Sequence, residues 1–485
     1  MLADLRHLLR PGALIGQLEG LAKRRWTSTS VLLFLALCVV SMLTSQAYLR
    51  APFIWDDLHL IRVYTPQELA RTWSGSWDPD KIETEGFRPL TTYFNHLRAL
   101  AFGESVVAHR LFLLVLMSLF LTMAGLLARH LFETGFGLML LGALLTFFHI
   151  SSVYHYFWIA DGVHLLCGIL ILGAILFFLR ALSSAHWGWL LASLLCSVLA
   201  LLAREDSLTV FPLLLWFGTA SIWLKDRHGR PVILKKVHLG LFAAALLLAL
   251  GVFWYWRGVA VPETQPLTAV PRWYFWALTQ VVQNAGDLQS LINPWPTYAF
   301  VIWSWWLWLG VLAVTAMVVL KPSQRKQIVF WTGGILIAAL PGLELARSNT
   351  QLLPVTFWGF LIATVLAPLW NRSAAPLPRV FAIGMTLFAL AVPAYASRVW
   401  MQEQRPNNLA LIRNNAELVF NPRATIPEAR RRVVTEQLLA YGISSSHFHG
   451  AYSALLNRAQ VTHRFGVNYR GLPFIPRFRF VSFPP

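Results

Sequence analysis

Runs of about twenty apolar residues recur along this chain, and they leave it little choice of solvent. A helix needs roughly 20 such residues to cross the hydrocarbon core of a bilayer. Inside lipid, only structures that satisfy their backbone N–H and C=O groups internally can span. Eleven runs qualify: 31–49, 109–129, 135–156, 162–182, 187–203, 207–224, 237–256, 299–320, 328–343, 351–370 and 379–397. The expected fold class is therefore all-α, a polytopic membrane protein with a bundle of about eleven transmembrane helices. Composition agrees. The chain is 56% hydrophobic and 13% charged, with a mean hydropathy of +0.56, whereas a soluble domain carries roughly a quarter charged residues.

Basic residues set the orientation. Lys23, Arg24 and Arg25 precede the first run, which places the N-terminal segment 1–30 in the cytoplasm by the positive-inside rule. That run is too long, and follows too long a leader, for a cleavable signal. Alternating sides from there puts 225–236, with five Lys/Arg, inside, together with Lys321, Arg325, Lys326, Arg372 and Arg379. The loop 50–108, in which acids outnumber bases, falls outside, as do 257–298 and the tail 398–485. The transmembrane domain is thus expected over 31–397. The tail, with twelve arginines and no lysine, is expected to form a small extracytoplasmic domain. Compact loops and the absence of internal repeats point to a bacterial inner membrane, within the cell envelope.

The net charge of +18 does not imply nucleic acid. Much of it sits in short loops between apolar runs, and no basic face interleaved with aromatics lies outside that pattern. Cys38, Cys167 and Cys196 all lie in apolar runs and read as buried free thiols.

Several ionisable groups interrupt this pattern at the ends of runs. Asp56 and Asp57 stand just beyond the first run. Neighbouring carboxylates repel, which suits a general base or a metal ligand, and equally a helix cap. Arg88, in Phe87-Arg88-Pro89, has the planar fork that holds phosphate. The junction FFHISSVYHYFWIADGVHLL holds His149, His155, Asp161 and His164, candidates for contact with substrate or metal. Their spacing matches no established zinc pattern, and a hydrogen-bonded interfacial histidine is the ordinary outcome. Arg204, Glu205 and Asp206 put three charges on one turn between two apolar runs, with Asp206 a further candidate for contact with substrate or metal, and Glu344 and Arg347 lie in the loop before 351–370. The alternation places all of these on the outer side. An ordinary loop arginine or a snorkelling anchor would explain Arg88 or Arg347 as well.

At these residues the sequence resembles the GT-C superfamily of membrane glycosyltransferases. It looks closest to the protein O-mannosyltransferase-like branch that includes the transmembrane and tetratricopeptide-repeat mannosyltransferases. The likeness rests on Asp56-Asp57, on FRPLTTYFNHLRALAFG leading to His109, on the segment from His149 to Trp158, and on ALLAREDSLTVFP, with a weaker echo at ELARSNTQLLP. Arg204 stands where a lysine is more usual, and Tyr154 near the place of a glutamate. The acidic residue expected after Trp158-Ile159 comes early, as Asp161, or is replaced by His164, and tetratricopeptide repeats are absent.

The resemblance implies a sugar donor on a polyprenyl phosphate, a hydroxyl acceptor on a glycan, lipid or protein, and inversion at the anomeric carbon. Asp56 or Asp57 would take the acceptor proton. Arg88, Arg204 and Arg347 would stabilise the leaving phosphate, and Glu205 would orient one of them or the acceptor. Some relatives use a divalent metal, magnesium or manganese, and others none. A transporter or flippase of a lipid-linked glycan is the competing reading. It predicts charges at mid-span and related halves, whereas the ionisable residues here gather at run ends. A non-catalytic membrane scaffold is the third.

Overall fold

The computed structural model describes residues 26–50, 57–78, 86–103, 105–184, 186–224, 236–260, 322–343 and 351–371, with a few isolated positions between 278 and 391. Asp56, Arg347, most of the 257–298 loop, the 299–320 run, most of the 379–397 run and the 398–485 tail lie outside these residues. Among the described residues every regular element is helical.

The first apolar run forms α1 (Trp26–Ser45). Val31, Leu35, Val39 and Leu43 follow at four-residue steps and are each more than half exposed. Leu33 and Leu37 are buried on the other side. An apolar stripe that no protein covers has lipid as its natural partner. The buried side packs on α5 (Val106–Phe132), where the hydroxyls of Ser41 and Ser118 are 3.4 Å apart.

The run 135–156 does not continue as one helix. It forms α6 (Phe136–Phe147) and α7 (Ile150–Phe157), bent by 78°. His149 is the reason: its ring nitrogen Nδ1 accepts the Ser151 N–H at 3.2 Å and caps α7. A 3-10 turn, Ala160–Gly162, leads into α8 (Val163–Ser184), followed by α9 (Trp187–Ala203), a second 3-10 turn Glu205–Thr209, and α10 (Val210–Leu224). Then come α11 (Lys236–Ala260), α12 (Pro322–Ala338) with a 3-10 turn at Leu340–Leu343, and α13 (Leu352–Asn371).

Among the described residues, four helices are long and apolar enough to cross a membrane, 28–45, 106–132, 160–184 and 237–260, or five if the bent pair counts as one span. Helices 187–203 and 352–366 are shorter but apolar. The described part of the chain is that of a multi-pass membrane protein. Close helix contacts depend on small residues. A side chain on Gly359 of α13 would meet Thr146 Oγ1 at 2.5 Å and the Gly142 carbonyl at 2.8 Å, both on α6. Hydroxyls within the helices bond back to carbonyls four residues earlier, as at Thr146, Ser197, Thr356 and Thr364.

The segment between α1 and α5 carries α2 (Asp57–Leu60), α3 (Pro66–Arg71) and α4 (Pro89–Phe102). Proline at the first position starts α4, and Gly103 ends it at φ +52°, a conformation that favours glycine. This helix is polar on its protein side. Thr91, Thr92, Asn95 and Arg98 are buried, whereas Leu97 and Leu100 are about 60% and 58% exposed. Thr91 donates to the Ala203 carbonyl at 2.6 Å, Thr92 to that of Trp77, and Arg98 to that of Ile159 at 2.8 Å. FRPLTTYFNHLRALAFG is therefore a polar clasp joining three chain segments at one end of the bundle.

Candidate functional site

That end of the bundle collects the charged residues. The ends of α9 and α11, the starts of α4, α8 and α10, and the break between α7 and α8 all meet there. Alternation predicts these positions to share one side, and the contacts between them bear out their proximity.

Glu205 is one hub. Its Oε1 accepts the Phe87 backbone N–H at 3.0 Å and Arg257 Nε at 3.1 Å, and its Oε2 accepts Arg88 Nη2 at 3.1 Å. Two segments distant in sequence, 87–88 and the end of α11, are pinned to one carboxylate. Burial alone would push the Glu205 carboxyl up, but Arg88, the Phe87 N–H and Arg257 hold it below the ordinary carboxylate range.

Asp206 is the second hub. Arg204 Nε donates to both its oxygens, at 2.9 and 3.1 Å. Burial would raise the Asp206 carboxyl, and Arg204, His164 and Arg88 bring it down instead. Burial would likewise lower the Arg204 guanidinium, but Asp206 and Asp161 outweigh it and raise it. Arg204 engages its neighbours through Nε alone, so its two η nitrogens have no hydrogen-bond partner among the described residues. Arg88 Nε is buried and also without a partner there. Three arginines face two carboxylates, leaving a surplus of positive charge and of N–H donors.

Behind Asp206 lies a His-Asp-His group. Asp161 Oδ1 is 2.8 Å from His164 Nδ1, and its Oδ2 is 2.8 Å from His155 Nδ1. One ligand-type atom from each of the three residues lies within 4.8 Å of the others. His164 Nε2 is 3.9 Å from Asp206 Oδ2. A small cavity of about 30 Å³ adjoins them, lined by His164, Asp206, Ser207 and Cys167 and closed by Pro341 and Leu352. By volume it takes about two water molecules. Cys167 is buried, Cys38 and Cys196 are half-buried, and all three are free thiols.

Asp57 opens α2 and is fully buried. Its Oδ1 accepts the Ala160 N–H at 2.6 Å, which anchors the first loop to the turn carrying Asp161. Its charge also supports a buried arginine. Burial lowers the Arg98 guanidinium to about 9, and Asp57 opposes that shift. Arg110, also buried, donates to the Phe157 and Leu49 carbonyls at 3.2 and 3.3 Å.

The sequence candidates therefore divide. Asp57, Arg88, His155, Asp161, Arg204, Glu205 and Asp206 converge, joined by His164. His149, held by its cap, is not one of the three clustered ligands. Asp56 and Arg347 lie outside the described residues. Sequence reasoning passed over Arg98, Arg110 and Arg257. Arg257 had a signal, since it breaks the apolar run Phe253-Trp254-Tyr255-Trp256 near the end of α11.

No family model matches the chain, and no curated protein matches it. Among solved structures, the crystal structure of ArnT from Cupriavidus metallidurans bound to undecaprenyl phosphate is similar at 14% sequence identity. The match covers 90% of this chain and 78% of that one, with a TM-score of 0.40.

Proposed function

We propose that this chain is an inverting membrane glycosyltransferase of GT-C type, moving a sugar from a polyprenyl phosphate to a hydroxyl acceptor at the extracytoplasmic face. The observation that carries the reading is the convergence of Arg88, Arg204 and Arg257 on Glu205 and Asp206 at the end of an apolar bundle, with guanidinium N–H groups left over. Arginine forks match phosphate oxygens. Apolar flanks beside them suit a ligand that is part phosphate and part lipid.

In this mechanism the acceptor oxygen attacks the anomeric carbon as the bond from that carbon to the phosphate oxygen breaks. The electron pair of that bond leaves with the lipid phosphate. Donors placed where this charge develops lower the barrier, which is the role of Arg88 and Arg204, with Arg347 as a third. The acceptor proton goes to a carboxylate. Asp57 is fully buried and committed to the Ala160 N–H, so we assign the base to Asp56 and make Asp57 a positioning residue. Glu205 holds Arg88 and Arg257 in place.

The test is turnover. Purified full-length protein in proteoliposomes, given a polyprenyl-phosphate-linked sugar, is expected to release polyprenyl phosphate, and Asp56→Asn to stop it while the protein stays folded. Normal turnover by Asp56→Asn would remove the base assignment. Absence of turnover or hydrolysis with any lipid-linked sugar, alongside transbilayer movement of that lipid, would favour the flippase reading.

A further inference from the structure

We propose that His155, Asp161 and His164 form a binding site for a first-row divalent transition ion, with zinc the best chemical match. The three residues come from the end of α7, the 3-10 turn after it and the first turn of α8, so a short, packed stretch of backbone fixes their relative positions. Their side chains are 0%, 3% and 5% exposed.

The contacts are those of ligands more than of a finished hydrogen-bond network. His155 Nδ1 approaches Asp161 at 2.8 Å without the alignment of a hydrogen bond, and its Nε2 has no partner either. His164 Nε2 is likewise without a hydrogen bond and faces the cavity it shares with Asp206. Leaving a buried polar nitrogen unsatisfied is costly. His155 and His164 so keep unsatisfied ring nitrogens on either side of the Asp161 carboxylate.

The donor set selects the ion. Two imidazoles and one carboxylate, with a fourth position open, are the ligands of a three-residue zinc site. Magnesium and calcium prefer all-oxygen shells, so this site differs from the magnesium or manganese expected by resemblance. Metal–ligand distances of about 2.0–2.2 Å hold neighbouring ligand atoms roughly 3.4 Å apart in a tetrahedron. The present 2.8 Å approaches would open by about half an ångström, within the reach of side-chain rotation. His164 Nε2, on the other edge of its ring, lies 3.9 Å from Asp206 Oδ2, an outer partner that would orient the imidazole as a ligand. Asp161 supplies one of the two negative charges that balance a divalent ion, since Asp206 is paired with Arg204.

The site does not depend on the glycosyl-transfer reading, and its test uses no turnover. The full chain is purified in detergent through a tag without histidine and without chelators, and its metal content is measured by mass spectrometry. The expected result is about one ion, mainly zinc, per chain, falling at least tenfold in a His155→Asn/His164→Asn double variant. His186→Asn, which alters a helix cap elsewhere, should keep the ion. A double variant that retains the wild-type content overturns the site. Should that variant not fold, wild-type protein stripped of metal is titrated with cobalt(II). The site predicts visible ligand-field bands that saturate at about one equivalent and are displaced by zinc. Metal-free protein as purified, with no cobalt bands at excess, means that two histidines merely flank Asp161, and overturns the proposal.

Discussion

Replacing Glu205 with glutamine keeps the shape of the side chain and removes its charge, which makes it a sensitive probe of the arginine hub. In the native site one carboxylate receives the Phe87 N–H and two guanidinium N–H groups, at 3.0–3.1 Å. A glutamine oxygen can still serve Phe87 and Arg257, as a neutral acceptor. Its NH2 group then faces Arg88 Nη2, donor against donor. Hydrogen bonds to charged groups contribute about 1.5–3 kcal/mol net and neutral ones about half that. Losing the Arg88 bond and weakening that to Arg257 comes to about 3 kcal/mol. Arg88 is 17% exposed, so water can recover part of this, leaving roughly 2 kcal/mol, or about 30-fold in the local opening equilibrium. The assay is amide hydrogen exchange on the full chain in nanodiscs, read at Phe87. Exchange there should speed up about 30-fold in Glu205→Gln, with the middle of α8 unchanged. An increase below about threefold would refute the idea that Glu205 pins the start of α4 to the 204–206 turn.

Three other outcomes follow from the same geometry. Asp57→Asn should lower folded yield and thermal stability, because it removes the buried negative charge beside Arg98 and weakens the acceptor of the Ala160 N–H; scanning fluorimetry that matches wild type would contradict this. Glu205 and Asp206 are both held below ordinary carboxylate values in the fold, so the stability they contribute is complete above the unfolded pKa of about 4 and is lost as pH falls from there through the folded values. The wild-type melting midpoint should be level from about pH 7 to pH 5 and fall steeply below about pH 4, and Glu205→Gln should flatten that fall. Finally, Ser74→Cys, exposed in the first outer loop, should react with a membrane-impermeant thiol reagent from the extracytoplasmic side, and Ser184→Cys, exposed at the far end of α8, only after permeabilisation; the reverse pattern would invert the orientation.

Hydropathy was enough to locate the long apolar helices among the described residues, because lipid demands long apolar runs whatever the packing. They could not show where a run breaks. The 135–156 run looks continuous, and its bend comes from His149 acting as a cap, a role that an apolar window does not register. Alternation of sides put Arg88 and the 204–206 turn in one compartment, and Arg88 does reach Glu205. Asp57 was legible as a special residue but not as a buried one, since an adjacent acidic pair reads the same whether its carboxylate faces a substrate or the Ala160 N–H. The same limit applies to His155, Asp161 and His164. Zinc spacing patterns describe ligands on familiar turns, and these three straddle a helix break that only the fold reveals. The clasp helix α4 is instructive in the other direction. Its polar residues lie at helical spacing but point inward, so an aqueous rule would turn it around.

The central claim is that the charged end of the bundle grips the phosphate of a lipid carrier, and direct binding tests it. Polyprenyl monophosphate is titrated into full-length protein in detergent and followed by tryptophan fluorescence, with the uncharged polyprenol as control. The account predicts saturable binding of the phosphate well above that of the polyprenol, weakened about 10- to 100-fold in Arg204→Gln through loss of a charge-assisted fork. Equal binding of phosphate and polyprenol, or an Arg204→Gln variant that binds the phosphate as wild type does, would contradict it.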